Sequence, residues 1–361
     1  MAGLRPRFSL TAGSLSADSA SPLAGPSRFV VERSLDVPID GLRVTLAESG
    51  GVAPGDPVQL DLGDEDGLER VFTGSVAEVR PRLAGCELFC AGSLLALVDL
   101  RVSSFYLGRS AGDVVRDLIG QAALEPGEIA DGITLPRFAV ERRLGAHAQL
   151  RRLAERLGYS LFADRAGKVH FRGLGPAAGL AAGGIGAGLA TAAAGALGTL
   201  GKGGAGALTY GKHLLGATGG LRPAFARKLL LGGESPMSGQ GEDKSFWLTA
   251  TDADYQDSAG DGDELLVTDP TARTKDMAGR FAAGYAATFA RRTSELRLTV
   301  LGMPDLELGD DSGVSDTPES ALNAAGYVKG LRHRFGAREG FVTDVVVSTE
   351  TSQCKNCSTW P

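Results

Sequence analysis

Residues 296–349 read LRLTVLGMPDLELGDDSGVSDTPESALNAAGYVKGLRHRFGAREGFVTDVVVST, and this stretch decides the fold class. Leu296, Leu298 and Val300 alternate with Arg297 and Thr299, the period of a strand with one buried face. Gly302-Met-Pro breaks the run, and Leu306-x-Leu-Gly-Asp310 follows. Tyr327–Phe335 and Phe341–Ser348 then read as a hairpin around Gly336-Ala-Arg-Glu-Gly340.

Upstream, Asp269-Pro270 offers a helix N-cap followed by Pro at the first helical position. Met277, Phe281, Tyr285 and Phe289 recur every four residues, so a helix over about 270–291 presents one apolar face, read here as core. The first hundred residues are again β. Arg28–Glu32, Leu42–Leu46, Pro57–Leu62, Val71–Arg80 and Cys86–Ala91 are short apolar runs separated by Gly- and Asp-bearing turns. The middle changes period. Ser110-Ala-Gly-Asp113 is a capping-box-like helix start leading through about Ala123. A second helix spans His147–Leu157 and stops at Gly158. Tyr159–Ala163 and Lys168–Arg172 form a hairpin around Asp164-Arg165-Ala166-Gly167.

Residues 173–201 are 29 residues without a charge, ten of them Gly and ten Ala. The length would span a bilayer. However, each Gly costs a helix about 1 kcal/mol relative to Ala, and the glycines outweigh five Leu and one Ile. A flexible or loosely packed insertion is the reading; a packed helical insertion and a membrane-active segment are its rivals. Lys202–Lys228 then carries five basic and no acidic residues, and Glu242–Glu264 eight acids and one lysine. Two solvated surfaces are the plain reading of these blocks, and pairing between them is the other.

The 361 residues include 52 Gly, and 43% are hydrophobic, enough for a sizeable core. With 37 basic and 43 acidic residues the net charge is −6, so no electrostatic footprint for nucleic acid exists. Met1–Ala20 has two arginines but no apolar core of a signal peptide, so cytoplasmic synthesis is expected. Four histidines, at 147, 170, 213 and 333, form no HExxH or HxH arrangement, and no GxSxG elbow, Walker loop or dinucleotide fingerprint occurs. Cys354-Lys-Asn-Cys357 is a CxxC, and Cys86 and Cys90 a CxxxC. Residues four apart on a strand are roughly 13 Å apart, too far to share a metal, which argues against a complete four-cysteine zinc site. Cys354 and Cys357 alone remain candidate metal ligands with outside partners, or a labile disulfide; the plain reading is an inert tail. Asp252-x-Asp254-x-x-Asp257 departs from a calcium loop at its sixth position, where Gly is needed, and is read as a solvated loop. No cofactor and no catalytic residue is expected.

Two stretches together resemble a known family. Leu296-x-Leu-x-Val300, Gly302-Met-Pro, Leu306-x-Leu-Gly-Asp310, and Gly326-Tyr327-Val328…His333-x-Phe335…Gly340-Phe341-Val342-Thr343 resemble the hub proteins of phage tails and contractile injection systems, the late control D and VgrG-like families. Gly55-Asp-Pro-Val-Gln-Leu60, Val71-Phe-Thr-Gly74 and Val76…Val79 look like the family's first barrel. SAGDVVRDLIGQAAL and LRRLAERLGYSLFADRAGKVHFR look like its middle α+β region. The resemblance covers roughly residues 28–172 and 270–349. The pairs Gly55-Asp56 and Gly309-Asp310, each suited to a turn with φ > 0 at Gly, point to two related barrels.

The expected fold is therefore a β-rich α+β chain with two related β-barrel domains, a small α+β domain between them and a Gly/Ala-rich insertion. The expected division is a first barrel over 1–100, an α+β domain over 101–172, the insertion over 173–205, a second barrel region over 206–349 and a tail over 350–361. The resemblance implies a non-enzymatic baseplate hub, a homotrimer adapting a six-fold tail tube to a three-fold spike. Its partners would be its own copies, a tail tube protein, a separate spike protein and other baseplate proteins. Membrane contact would be only indirect, and the destination a phage tail or injection-system particle. Family-signature positions are Gly55, Asp56, Gly309, Asp310, Tyr327, His333, Phe335, Gly340 and Thr343. A tail-associated peptidoglycan hydrolase and a carbohydrate- or receptor-binding tail-tip module are the alternatives. The insertion is a candidate plug or lining of the hub lumen.

Overall fold

The computed structural model describes residues 5–19, 28–48, 50–175, 208–220, 227–233, 255–290, 295–336 and 339–349. The Gly/Ala-rich run beyond Gly175 and the tail with Cys354 and Cys357 lie outside them. The first β unit contains β1 (Arg7–Ala12), β2 (Leu15–Asp18), β3 (Arg28–Ser34), β4 (Gly41–Leu46), β5 (Pro57–Gly63), β6 (Leu68–Pro81) and β7 (Cys86–Gly92). Alternation sets which face is inside: Phe29 and Val31 in β3 and Leu42, Val44 and Leu46 in β4 are buried. They join Leu10, Leu60, Phe72 and Leu88 in one core. Strands β1 and β2 were not anticipated, although Phe8, Leu10 and Ala12 carry the same alternation.

The middle block contains α1 (Leu95–Asp99), β8 (Ser104–Ser110), α2 (Ala111–Gln121), β9 (Pro126–Ile129), β10 (Thr134–Val140), α3 (Ala146–Leu157), β11 (Tyr159–Ala163) and β12 (Val169–Gly173). Helix α2 opens with the anticipated capping box: Ser110 accepts from the Asp113 amide, and the Asp113 carboxylate accepts from the Ser110 amide. Helix α3 ends on Gly158 at φ 68°, the left-handed stop read from the sequence.

The remainder contains β13 (Leu208–Thr209), β14 (Leu214–Gly220), β15 (Arg227–Gly232), β16 (Gln256–Ala259), β17 (Asp263–Thr268), α4 (Lys275–Ala290), β18 (Glu295–Leu301), β19 (Asp311–Ser315), β20 (Ala325–Gly336) and β21 (Gly340–Thr349). The basic and acidic blocks meet at one described point, where Lys228 Nζ lies 3.6 Å from Glu264 between the parallel strands β15 and β17. Helix α4 starts five residues beyond the expected Pro270. Its cap is Thr274, whose hydroxyl accepts from the Met277 amide at 3.2 Å. Asp269 caps only the turn before the helix, accepting from the Thr271 amide at 2.9 Å, and its other oxygen enters a buried ion pair with Arg156. Met277 and Phe281 are buried, with Tyr285 and Phe289 against the same core, as the stripe implied. That core is shared with α2 and α3, so α4 packs on the middle block. The crossing is close: a Cβ on Gly284 would stand 2.1 Å from the Arg156 carbonyl.

Thirteen strands form one curled sheet in the order β14-β18-β21-β20-β3-β4-β7-β6-β5-β1-β2, with β19 on β20 and β13 on β19. The β-rich α+β fold expected from the sequence is the fold observed, with its two related β units joined as halves of that sheet. Their connectivity repeats. The first half runs β3-β4-β7-β6-β5-β1, and the second β14-β18-β21-β20-β19-β13. Within each half, every pairing is antiparallel except β13 with β19, which is parallel. Register repeats as well. Leu42-Arg-Val-Thr-Leu46 and Leu296-Arg-Leu-Thr-Val300 occupy the same rungs, Leu42 opposite Cys90 and Leu296 opposite Val347. Each long strand has a bulge one residue after the equivalent valine, between Val76 and Glu78 in β6 and between Val328 and Gly330 in β20.

Candidate functional site

The two Gly-Asp turns are the same device built twice. Gly55 has φ 95° and Gly309 φ 84°, a region that other residues enter only under strain. In the first turn the Gly55 amide donates to the Val76 carbonyl at 2.8 Å, and the Val76 amide to the Asp56 carbonyl at 2.8 Å. In the second, Gly309 donates to Val328 at 2.8 Å and Val328 to Asp310 at 2.8 Å. Each Asp carboxylate accepts from the amide three residues before it, Ala53 at 2.8 Å and Glu307 at 2.9 Å. Each turn therefore locks the start of β5 or β19 onto the bulge of β6 or β20. Burial, with Glu307 adding its repulsion, raises the Asp310 carboxyl above its ordinary value.

The other signature residues line the second half and its seam with the first. Tyr327 is buried in the second core. His333 is 1% exposed, with Nδ1 2.9 Å from the Thr343 hydroxyl, which itself accepts from the Met303 amide at 3.1 Å. Burial, and then Arg33 and Arg165, hold the His333 imidazole down at about 3, so it is neutral at physiological pH. Phe335 sits on the seam. Its ring lies 5.5 Å from Phe8, 5.7 Å from Phe29 and 6.1 Å from Phe341 between centroids. Gly340 turns the hairpin at φ 68°.

A buried polar knot, not anticipated, ties the three blocks together. Arg33 of β3 is 2% exposed. It donates to Asp40 at 3.2 Å, to the Ala163 carbonyl at 2.8 Å and to Glu307 at 2.5 Å. The second Glu307 oxygen accepts from the Arg165 amide at 2.9 Å. Burial opposes the charge on Arg33, but Glu307 and Asp40 together keep its pKa raised. Burial pushes the Asp40 carboxyl up against the pull of Arg33. One sequence signal existed: Arg33 continues the inward parity of Phe29 and Val31. A second knot holds α4 to α3, where Asp269 accepts from Arg156 at 2.6 Å and from the Tyr285 hydroxyl at 3.0 Å.

No group of three or more His, Cys, Asp or Glu side chains that could hold a metal occurs among the described residues. Cys86 and Cys90 share β7 as expected and are buried; burial raises both thiols, Cys90 to about 12. An open groove of about 560 Å³ crosses the face of β3, β14, β18, β20 and β21. Its acids are engaged, Glu32 with Arg332 at 3.0 Å and Asp344 with Arg334 at 3.0 Å. No helix among the described residues is long and apolar enough to cross a membrane.

The same architecture recurs in solved structures. A 43 kDa tail protein of prophage MuSo2 from Shewanella oneidensis matches with a TM-score of 0.63 at 16% identity, over 95% of this chain and 98% of that one. The fold is that of phage tail proteins. The tail protein of Neisseria meningitidis MC58 gives 0.67 at 13% identity, over 95% and 96%. An Escherichia coli component of the type VI secretion system, described as structurally similar to the T4 phage tail proteins gp27 and gp5, gives 0.54 at 10% identity, over 95% and 77%. No protein-family model and no curated protein sequence matches the chain.

Proposed function

We propose that this chain is a structural, non-enzymatic baseplate hub that assembles as a homotrimer and adapts a six-fold tail tube to a three-fold spike. The observation that carries this reading is the duplicated half-sheet, two units of the same strand order in one chain, with the same register across their central strands and only the direction of β13 differing from that of β1. Three such chains present six near-equivalent faces to a tube while keeping three-fold symmetry for a spike. The near-full-length likeness to tail proteins supports a place in a tail or injection-system particle. The inert buried histidine and the engaged acids fit a part that works through interfaces. Tube contacts are assigned to those edges of both half-sheets that contacts between copies leave free, and spike contacts to the far end, with the 350–361 tail as a candidate. The insertion over 173–205 is assigned to the lumen as plug or lining; deleting it and finding unchanged assembly and firing would remove that role.

The test is the solution mass of the purified protein by light scattering over a range of concentrations. A species of three times the monomer mass supports the hub. A strict monomer at every concentration, together with lysis of peptidoglycan or binding of glycans, replaces it with the hydrolase or the tail-tip binder.

A further inference from the structure

Within the chain the two half-sheets meet by one antiparallel pairing, β20 with β3, from Gly330 opposite Ser34 to Gly336 opposite Arg28. The repeat assigns an equivalent to each side of this seam. Val328 and Val76 occupy the same rung, so Gly330–His333 of β20 correspond to Glu78–Pro81 of β6, and Phe335 to Leu83. Arg28 faces Thr45 as Gly216 faces Thr299, so Arg28–Glu32 of β3 correspond to Gly216–Gly220 of β14. Among the described residues both equivalents are bare. Strand β5 pairs with β6 only as far as Ser75, and β14 pairs with β18 alone.

We propose that these two bare edges are each other's partner between copies of this chain. The β6 edge of one copy adds, head to tail, to β14 of the next, in the register that β20 and β3 already show. Arg80 then faces Gly220 of the next copy, as Arg332 faces Glu32 within the chain. The choice of a second copy as occupant follows from the repeat: the chain holds a worked example of the junction.

The side chains supply an independent argument. At the internal seam Phe335 is covered by Phe8 and Phe29. Its equivalent Leu83 is 111% exposed. Leu208 faces Val314 as Leu10 faces Leu60, which puts Tyr210 in the place of Phe8, and Tyr210 is 54% exposed. Leu215, beside the bare edge, is 58% exposed. Large apolar side chains thus stand uncovered on both edges where the seam needs cover. The junction between copies is the thinner one. Pro81 has no N–H to donate, so its rung offers a carbonyl only, a feature that also discourages wrong strands on this edge. A head-to-tail contact closes into a ring or runs on as a filament; closure at three rests on the hub reading above.

The experiment is a disulfide trap in the full-length chain. The Leu35 amide donates to the Lys329 carbonyl, which makes odd positions of β20 the hydrogen-bonded rungs toward β3. Arg332 with Glu32, and hence Arg80 with Gly220, is a non-hydrogen-bonded rung, with Cα atoms about 4.5 Å apart and within disulfide reach. R80C combined with G220C should cross-link on oxidation into species that end at three chains. R80C with T218C, two residues out of register, and each single variant should not; the singles control for the four native cysteines. Cross-linked species that continue past three keep the junction and remove the trimer. Equal cross-linking out of register, or none in register at any concentration, overturns the junction, even if light scattering shows a trimer. As a second arm, L83D with Y210D should leave the circular dichroism spectrum unchanged and weaken self-association at least tenfold. Unchanged association would also overturn it.

Discussion

Replacing Arg33 by Met is the sharpest test of the polar knot. The change keeps an unbranched apolar stem but strips three acceptors of their donor: Asp40 at 3.2 Å, Glu307 at 2.5 Å and the Ala163 carbonyl at 2.8 Å. Breaking a buried ion pair from one side costs about 3–5 kcal/mol, because the remaining carboxylate keeps its desolvation penalty without its partner. An orphaned carbonyl adds about 1 kcal/mol. The expected loss is about 5 kcal/mol at pH 7, read by urea denaturation followed by circular dichroism. The pH dependence has a definite sign. Burial already raises the Asp40 carboxyl above its ordinary value in the folded protein. Without Arg33 it rises further, so the folded variant takes up a proton before the unfolded chain does. Its stability therefore grows as pH falls through the raised folded value, and the deficit at pH 5 is smaller than at pH 7. Arg33→Lys keeps the charge but lacks the fork that reaches three acceptors, and loses roughly half as much. A loss below about 1 kcal/mol for Arg33→Met, or a deficit that does not shrink on acidification, would refute the reasoning.

Further predictions follow from the turns, the histidine and the seam. Gly309→Ala should destabilise more than Gly55→Ala, by roughly 1 kcal/mol or more, in thermal melts. Both pay for positive φ, but a Cβ at Gly309 meets Leu174 at 2.7 Å whereas none lies within 4 Å at Gly55. His333 sits at about 3 when folded and at its ordinary 6.5 when unfolded, so its contribution to stability is full above 6.5 and is lost as pH falls toward 3. His333→Gln should flatten that part of the stability-versus-pH curve, and NMR titration should show no His333 protonation between pH 5 and 8. Phe335→Ala removes the half-buried ring packed on Phe8, Phe29 and Phe341 and should cost about 2 kcal/mol by urea denaturation, less than a fully buried Phe would.

Strands were legible wherever apolar and polar residues alternate, as in Leu42–Leu46 and Leu296–Val300, because burial of one sheet face writes that pattern directly. Helix α2 was legible because Ser110 and Asp113 carry its start in their own chemistry. Asp269-Pro270 shows the limit of local reasoning. It has the form of a helix start, and one Asp269 oxygen does accept from the Thr271 amide at 2.9 Å, but the other pairs with Arg156, more than a hundred residues earlier, and the helix itself is capped by Thr274. The Arg33 knot was hidden for the same reason: Asp40 is near in sequence, across the β3–β4 turn, but Ala163, Arg165 and Glu307 lie more than a hundred residues from Arg33 and meet it only in the folded chain. The duplication was half visible. The Gly-Asp pairs repeat in the sequence, but the matching bulges after Val76 and Val328 are a property of register, which no single strand records. The fold class could thus be read from one chain, whereas the bare edges needed the sheet.

Electron microscopy of the purified assembly viewed end-on tests the central claim most directly. The account predicts a closed ring of three chains in which six similar lobes, two per chain, surround a lumen. Isolated monomers at every concentration, an open filament, or a ring with a number of lobes other than six would contradict it.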